Sequence, residues 1–360
     1  MAIEVADKKE KKEFFKSLRK RARKRRNPFS IMFELTYCCN FRCFHCYLPG
    51  SRREEKELST KQVFSILEQL KDMGVYNIGF TGGEALLRKD IFEILNYANK
   101  CGFKYGLLTN GYLIDEETAK RLKQANVNKV DITFNALNPE IFDAATQVKG
   151  SFKRVKKAVE ILNNKKIQVA IKSTCMSINK NELFSVSRYA RRLGIPYRID
   201  GEILPCRSGY KECADKFSLN AKEIYAIRRR VYPEMFENKN GSRSRPRRKK
   251  NRLFNCGVGL ASFSLNPYGR MNLCLEIDYP GYNVLSEGVS ACWEKMKRDV
   301  DNLNNAGEFV CSDCDLRKYC GWCPGRSFME TGKFSNCSDY FRARAKERKL
   351  MAKRRNESYG

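Results

Sequence analysis

The amino-acid sequence predicts an α/β protein, a partial (β/α)6 TIM-like barrel with a small cysteine-rich domain after it. Two observations predict this fold. From residue 31 to about 230, short apolar strands alternate with helical patterns, which is typical of a parallel sheet. From 253 to 340, seven cysteines besides Cys292 stand at short spacings with little helical periodicity. Strand–helix units joined by right-handed crossovers make an open barrel, so we expect the chemistry at the carboxyl ends of the strands.

The alternation predicts each element in turn. The predicted strands are IMFELT (31–36), YNIGF (76–80), KYGLLT (104–109), KVDITF (129–134), QVAIKST (168–174) and YRIDGEIL (197–204). Helices are predicted over 58–74, 90–102, 115–125, 151–164 and 181–194. In the first helix, Ser59 and Gln62 can form a capping box. Its apolar residues recur at helical spacing, at Val63, Ile66, Leu67 and Leu70.

Charge and chain-breaking residues divide the chain into segments. We expect a basic N-terminal extension over 1–29, the barrel over 30–231, a basic linker over 232–252, the cysteine-rich domain over 253–340 and a basic tail over 341–360. The basic runs contribute to a formal net charge of +29. Such runs are typical of solvated tails, and they would also attract an acidic peptide or nucleic acid. No aromatic-studded sheet or histidine-containing zinc-finger spacing favours nucleic-acid readout.

Composition limits the class of protein. Hydrophobic residues make up 42% of the chain, which supports a sizeable core, and no apolar run is long enough to span a bilayer. The N-terminus lacks the apolar core of a signal peptide, so we expect a cytoplasmic protein whose 16 cysteines are poor disulfide candidates. Because the chain has a single histidine, a metal site must be rich in thiolates, which suits zinc or iron–sulfur clusters. Three cysteines are interpreted as core thiols: Cys101, Cys175 and Cys292.

A dense cysteine cluster, TYCCNFRCFHCY (36–47), directly follows the first predicted strand. Within it, Cys39, Cys43 and Cys46 form a C-x3-C-x2-C pattern that places three thiolates on one tight loop. A cluster of four irons held by three thiolates leaves one iron open to a substrate. The alternative is a zinc knuckle with Cys38 or His45 as fourth ligand, which would explain neither the barrel nor the TGGE segment after the second strand.

The C-x3-C-x2-C loop followed by TGGE (81–84) resembles the signature of the radical S-adenosylmethionine (SAM) enzymes. The resemblance implies that Cys39, Cys43 and Cys46 hold a catalytic, SAM-binding 4Fe–4S cluster, and that His45 takes the place of an aromatic residue that packs on the adenine. It implies further contacts with SAM from Gly82, Gly83, Glu84, Thr109, Thr133, Arg154 and Ser173. Thr-Phe-Asn at 133–135 departs from the Ser-Leu-Asp that is usual in the family.

The C-terminal cysteines resemble the SPASM extension of peptide-maturing radical SAM enzymes, which binds two auxiliary 4Fe–4S clusters. The resemblance implies an outer cluster on Cys311, Cys314, Cys320 and Cys337, and an inner one on Cys256, Cys274 and Cys323. The family has three residues before the cysteine that Cys323 matches, whereas this chain has two, in CGWC. The inner set lacks an obvious fourth cysteine, which leaves the position open to substrate or filled by a distant residue such as Cys206 or Cys213. A structural zinc site is the alternative.

The resemblance implies an enzyme that cleaves SAM reductively to methionine and a 5′-deoxyadenosyl radical, which abstracts hydrogen from a substrate. The leading hypothesis is a maturase that crosslinks or oxidises a side chain of a peptide or protein, with acidic partners favoured by the positive charge. Because the first thirty residues are too short for a leader-binding domain, a separate leader-binding partner is expected, with an external electron donor of the flavodoxin or ferredoxin type. Two alternatives are modification of a tetrapyrrole or haem-type precursor, and a non-enzymatic cysteine-rich zinc protein that binds nucleic acid.

Overall fold

The computed structural model of the chain describes residues 8–48, 56–207, 212–234, 252–305, 311 and 313–357. Its strands are β1 (Ser30–Thr36), β2 (Asn77–Gly82), β3 (Lys104–Thr109), β4 (Lys129–Thr133), β5 (Val169–Thr174), β6 (Tyr197–Asp200), β7 (Ser264–Leu265), β8 (Arg270–Cys274) and β9 (Ile277–Asn283). Its helices are α1 (Lys8–Arg25), α2 (Thr60–Asp72), α3 (Ile91–Lys100), α4 (Glu116–Gln124), α5 (Pro139–Thr146), α6 (Ser151–Asn164), α7 (Leu183–Arg192), α8 (Glu212–Phe217), α9 (Ala221–Val231), α10 (Val284–Glu287), α11 (Val289–Asn305), α12 (Pro324–Thr331) and α13 (Asp339–Glu357).

These strands form one nine-stranded sheet in the order β6-β5-β4-β3-β2-β1-β7-β8-β9. The first six pair in parallel with each neighbour, and helices connect them, which is the predicted partial barrel. The fold class predicted from the sequence is therefore confirmed. The carboxyl ends of β1 to β5 lie along one rim of the sheet, where the cysteine loop follows β1.

Several elements agree closely with their prediction. Strand β3 and helix α6 match the predicted ranges 104–109 and 151–164. The capping box of α2 is present, because Ser59 accepts from the N–H of Gln62 and the Gln62 side chain accepts from that of Ser59. Helix α5 was not predicted, although Asn138 caps it and Pro139 stands in its first turn, where proline is well tolerated.

The C-terminal segment differs from the sequence-based expectation of a loop-rich module with little helical periodicity, which is wrong. Helix α11 is 17 residues long and buries one face, including Trp293 and Met296. Strand β7 pairs in parallel with β1, where Leu265 lies opposite Phe33, and the buried side chains of this segment join the main hydrophobic core. Because this segment completes the core and the sheet, it has substantial hydrophobic support besides any metal.

The segment that follows α1 is also packed against the protein. After α1, the Arg26 guanidinium donates to the carbonyl of Gly259 at 3.1 Å and pairs with Asp301 at 2.5 Å, and Trp293 donates to the Arg26 carbonyl at 3.0 Å. The predicted linker lies outside the described residues except for 232–234 and 252. Over the part of the chain that the structure describes, every helix is too short or too polar to cross a membrane.

Candidate active site on the cysteine loop

The loop after β1 presents three thiols at the rim of the sheet. Cys39 and Cys46 are exposed and Cys43 is half-buried. The end of helix α5 holds the loop in place. The N–H of Arg42 donates to the carbonyl of Thr146 at 3.1 Å, and the N–H of Phe44 donates to the carbonyl of Ala145 at 3.2 Å. These two carbonyls belong to the last turn of α5, whose free acceptors thereby find partners.

Two glycines let the end of β2 approach this loop more closely than any other residue would. Gly82 has φ +132°, and a Cβ there would lie 2.2 Å from the carbonyl oxygen of Thr36. A Cβ at Gly83 would lie 2.4 Å from the carbonyl oxygen of Cys38. The resulting contact is a pair of hydrogen bonds of 2.8 Å, from the N–H of Gly83 to Thr36 and from that of Glu84 to Cys38. The TGGE segment therefore positions the cysteine loop through its backbone.

The Glu84 carboxylate is fully buried and ties β2 to β3. It accepts from the Thr109 hydroxyl at 2.8 Å and from the N–H of Asn110 at 2.7 Å. Burial raises the pKa of Glu84, while hydrogen bonds from Asn110, Leu86 and Thr109 oppose the rise. Asn110, which the sequence reasoning missed beside Thr109, donates to Asn40 in the loop at 2.7 Å and lies 3.9 Å from the Cys39 sulfur.

The three thiols are close enough to affect each other's ionisation. Burial raises the pKa of Cys39 to about 11, and the charges of Glu84 and Cys46 add to the rise. Burial likewise raises the pKa of Cys43, with contributions from Cys46 and Cys39. Every cysteine whose side chain the structure describes is free of a disulfide, and none of these side chains belongs to a preformed group of three that could hold a single metal ion. Three neighbouring thiols at the mouth of a barrel suit a cluster, which would deprotonate them on binding.

His45 lies in the same loop with its Nδ1 atom buried and without a hydrogen-bond partner in the described structure. Burial lowers the pKa of His45 to about 4, and the positive charge of Lys172 contributes. The ring is therefore neutral near pH 7, and its Nδ1 atom lacks a hydrogen-bond partner in the described structure. Its predicted role, stacking on an adenine, stays a prediction.

The remaining predicted SAM contacts occupy different positions. Thr133 is half-buried at the end of β4, and Ser173 is fully buried in β5, where it donates to the carbonyl of Phe134. Arg154 is exposed on α6, and its guanidinium lies 4.7 Å from the ring centroid of Tyr112. Tyr112 packs edge-on against Phe41 of the cysteine loop, with the ring centroids 5.5 Å apart, so Arg154 lies near the loop without touching a thiol in the described contacts.

A buried ion pair that the sequence reasoning missed joins the loop to the C-terminal segment. Arg207 donates to Glu34 of β1 at 3.0 Å, to the Tyr37 hydroxyl at 2.7 Å and to the Leu275 carbonyl at 2.7 Å. The side chains of Arg207 and Glu34 are each 1% exposed. Burial raises the pKa of Glu34, and the attraction of Arg207 opposes the rise. No motif marks Arg207 in the sequence, since its partners lie up to 173 residues away.

The thiols of Cys256, Cys274 and Cys323, predicted to hold the inner cluster, lie near enough to affect one another's ionisation. Burial raises the pKa of Cys274, and the charges of Cys323 and Cys256 add to it. The Cys323 thiol lies 3.6 Å from the carboxylate of Glu276, which the sequence reasoning did not consider. Cys206, a candidate fourth ligand from the sequence, contributes instead to the electrostatics of Cys46, and the side chain of Cys213 lies outside the described residues.

The four predicted outer-cluster cysteines are all half-buried: Cys311, Cys314, Cys320 and Cys337. Two backbone hydrogen bonds fold the turn between them, from Arg317 to the Cys314 carbonyl at 3.1 Å and from Cys320 to the Arg317 carbonyl at 3.3 Å. The Cys337 thiol donates to the Ser338 carbonyl at 3.6 Å. A ligand role for these four thiols stays a prediction.

Comparison with known proteins finds sequences that are similar to this chain. Residues 33–191 match the family model described as Radical SAM superfamily. The chain is 34% identical over 179 residues to "Mycofactocin maturase MftC" of Mycolicibacterium smegmatis, an alignment that covers 48% of this chain and 44% of that protein. It is 24% identical over 339 residues to "AdoMet-dependent heme synthase" of Methanosarcina barkeri, covering 85% of this chain and 94% of that protein.

The fold is that of a solved structure as well. Streptococcus suis SuiB bound to precursor peptide SuiA superposes with a TM-score of 0.69 at 15% sequence identity, covering 94% of this chain and 83% of that one. Similarity at this level of identity establishes the shared fold. The alignment with MftC spans less than half of that relative, whereas the alignment with the haem synthase spans nearly all of it.

Proposed function

We propose that this chain is a radical SAM enzyme that cleaves SAM at Cys39, Cys43 and Cys46 in order to modify a side chain of a peptide or protein. This proposal takes SAM and one 4Fe–4S cluster as cofactors. The bound cluster, reduced by an external donor, would supply the electron that breaks SAM into methionine and a 5′-deoxyadenosyl radical, which takes a hydrogen atom from the substrate. Residues of this chain would bind and orient SAM.

The observation that carries the proposal is the close approach of the Gly82–Gly83 backbone to the cysteine loop. The contact would be blocked by any side chain at Gly83, because a Cβ would lie 2.4 Å from the Cys38 carbonyl oxygen. It holds the three thiols beside the ends of β2 and β3, where Glu84 and Asn110 supply polar groups. This arrangement supports a SAM site with its methionine end at Gly82, Gly83 and Glu84 and its adenine end at His45. In such a site the polar contacts position SAM, and the neutral imidazole adds a ring face without an extra charge.

The remaining predicted contacts complete the proposed site. Thr109, Thr133 and Ser173 come from the ends of β3, β4 and β5 along the same rim. Arg154 would reach the SAM carboxylate after a side-chain rotation, which its exposure on α6 permits. We propose the same boundaries for the barrel and for a SPASM-like segment over 253–340, with two auxiliary 4Fe–4S clusters on the seven cysteines named above. An external flavodoxin- or ferredoxin-type donor would supply electrons.

A peptide or protein substrate is favoured by two observations. The relative with 34% identity is named a maturase, and the net charge of +29 suits an acidic partner or leader-binding protein. A second candidate is modification of a haem-type precursor, because the match to the haem synthase extends over 94% of that protein. A tetrapyrrole with several carboxylates would also be attracted by positive charge, so charge alone does not separate the two.

The test is anaerobic reconstitution of the full chain, followed by measurement of iron, sulfide and 5′-deoxyadenosine. The wild type is expected to hold about twelve irons, and the Cys39→Ala/Cys43→Ala/Cys46→Ala variant about eight with no 5′-deoxyadenosine. Cys38→Ala is the matched control, since only backbone atoms of Cys38 bond to the GGE segment. Production of 5′-deoxyadenosine by the triple variant would refute the assignment.

The substrate class is tested with the same reconstituted protein. A synthetic acidic peptide and a tetrapyrrole carboxylate, coproporphyrin III, are each added with SAM and reductant, and the stimulation of 5′-deoxyadenosine formation is compared. Mass spectrometry then identifies any modified product. Stimulation and modification by the tetrapyrrole alone would replace the peptide proposal with the second candidate.

A further inference from the structure

We propose that Glu276 is the fourth protein ligand of the inner auxiliary cluster, alongside Cys256, Cys274 and Cys323. The inference rests on the proposed function, because it takes the inner cluster as given. It assigns a carboxylate to the position for which the sequence offers no cysteine.

Three distances place the Glu276 carboxylate beside Cys323 and Cys274. The Cys323 sulfur lies 3.6 Å from Oε2 of Glu276. The point where a Cβ would stand on Gly325 lies 3.7 Å from the Cys274 sulfur and 3.7 Å from the same Oε2 atom. A thiol and the carboxylate therefore both border the space beside Gly325. Carboxylate oxygens are established ligands of iron in proteins.

The local fold holds this carboxylate in place. Glu276 stands in the short connection between β8, which ends at Cys274, and β9, which begins at Ile277. The carbonyl of the intervening Leu275 accepts from Nε of the buried Arg207 at 2.7 Å. Since that guanidinium is also paired with Glu34, the backbone on the N-terminal side of Glu276 is anchored to the barrel. A ligand on an anchored connection loses little conformational entropy on binding.

Two arginines and another carboxylate lie near Glu276. Arg326 and Arg207 are close enough to attract its carboxylate, and Glu202 repels it. Arg326 also pairs with Glu330 at 2.7 Å, so Arg326 is itself held in position.

The experiment uses the full chain with Cys39→Ala/Cys43→Ala/Cys46→Ala, so that only auxiliary iron is observed. Into this parent we introduce Glu276→Ala, Glu276→Cys and, as a matched control, Glu202→Gln. Glu202 is a neighbouring carboxylate that pairs with Arg326 at 3.8 Å and with Arg344 at 3.7 Å, and no cysteine contact is described for it. Iron, sulfide and the electron paramagnetic resonance spectrum of the dithionite-reduced protein are measured, before and after addition of 2-mercaptoethanol.

The parent is expected to hold about eight irons. Glu276→Ala should either lose up to about four of them or keep them with a spectrum that shifts when the thiol is added. Glu276→Cys and Glu202→Gln should keep the parent's iron content and show no such shift. Identical iron, spectrum and thiol response in Glu276→Ala and the parent would overturn the assignment.

Iron content of the parent and 5′-deoxyadenosine formation by the wild type separate failure of the proposed function from failure of the Glu276 assignment. A parent that holds no more than about four irons has only one auxiliary cluster; if Glu276→Ala leaves that iron and its spectrum unchanged, the inner cluster is absent and the assignment of Glu276 falls with it. The wild type would in that case still be judged separately, by its formation of 5′-deoxyadenosine at the first loop.

Discussion

Gly83→Ala should disrupt the cysteine loop through a steric conflict at one backbone atom. The new Cβ would lie 2.4 Å from the Cys38 carbonyl oxygen, whereas ordinary contacts begin at 3.4 Å. The φ angle of Gly83 is not in the left-handed region, so the conflict is with the neighbouring backbone and not with the residue's own conformation. The loop and the end of β2 must therefore separate by about 1 Å.

The loss of unfolding free energy follows from the contacts that this separation disturbs. Overpacking of this kind costs about 1–3 kcal/mol. The two 2.8 Å hydrogen bonds from Gly83 and Glu84 lengthen as well, which adds about 1 kcal/mol for each that is lost. The sum is about 2–5 kcal/mol of unfolding free energy, and a displacement of about 1 Å at a reacting centre lowers the rate by roughly 100-fold.

The assay compares Gly83→Ala with the wild type and with Gly106→Ala, in which the nearest atom to the new Cβ lies 3.3 Å away. Urea unfolding gives the change in stability, and calorimetry of the reconstituted protein gives the affinity for SAM. We expect Gly83→Ala to lose at least ten-fold in SAM affinity and Gly106→Ala to stay within a factor of two to three. Wild-type stability and SAM affinity in Gly83→Ala would refute the reasoning.

Three further outcomes follow from contacts in the structure. Arg207→Met should destabilise the protein by about 3–5 kcal/mol, because it leaves Glu34 buried without its partner. Urea unfolding of this variant and of Arg207→Met/Glu34→Leu measures the loss of unfolding free energy. A loss below about 1 kcal/mol in Arg207→Met would contradict the role of the pair. The pKa of Asp143 is lowered, since hydrogen bonds from the start of α6 outweigh the effect of burial. The stability that the ionised carboxylate contributes is present above its unfolded pKa and is lost as pH falls through the lower folded value. Asp143→Asn should therefore flatten the dependence of unfolding free energy on pH below about pH 4, and an unchanged dependence would rule this out. Gly325→Ala should raise apo-protein stability by about 0.4–1 kcal/mol, since the new Cβ meets its neighbours at 3.7 Å. The same variant should bind less auxiliary iron than the wild type. Equal iron in the variant and the wild type would show that the inner cluster does not use the space beside Gly325.

The sequence was sufficient where the signal is local. Strand β3 and helix α6 were predicted to the residue, because alternating or helical apolar spacing is written within a single segment. Gly82 and Gly83 were predicted only as contacts of SAM, which stays a prediction; their close approach to the backbone of the cysteine loop was not predicted. Their approach to SAM, which the family resemblance implies, is a separate contact.

Two kinds of feature escaped the sequence reasoning. Helix α11 carries Val289, Trp293, Met296 and Val300 at helical spacing, and the prediction of a loop-rich module overlooked this local signal. The Arg207–Glu34 pair carries no local signal, since it forms between residues far apart in the chain. Likewise Glu276 is one acidic residue among 41, and only folding places it beside the Cys323 sulfur. Contacts of this type depend on the tertiary fold and not on spacing.

The parallel pairing of β7 with β1 has a consequence for any attempt to shorten this protein. It covers the edge of the strand that leads into the cysteine loop, with Met32 opposite Ser264 and Phe33 opposite Leu265. Removal of the C-terminal segment would expose unpaired backbone groups along β1, together with apolar side chains of the core that this segment completes. An open apolar edge of this kind is a template for intermolecular strand addition. A minimal barrel cut after α9 would therefore be a poor reagent, prone to precipitate before its chemistry could be tested.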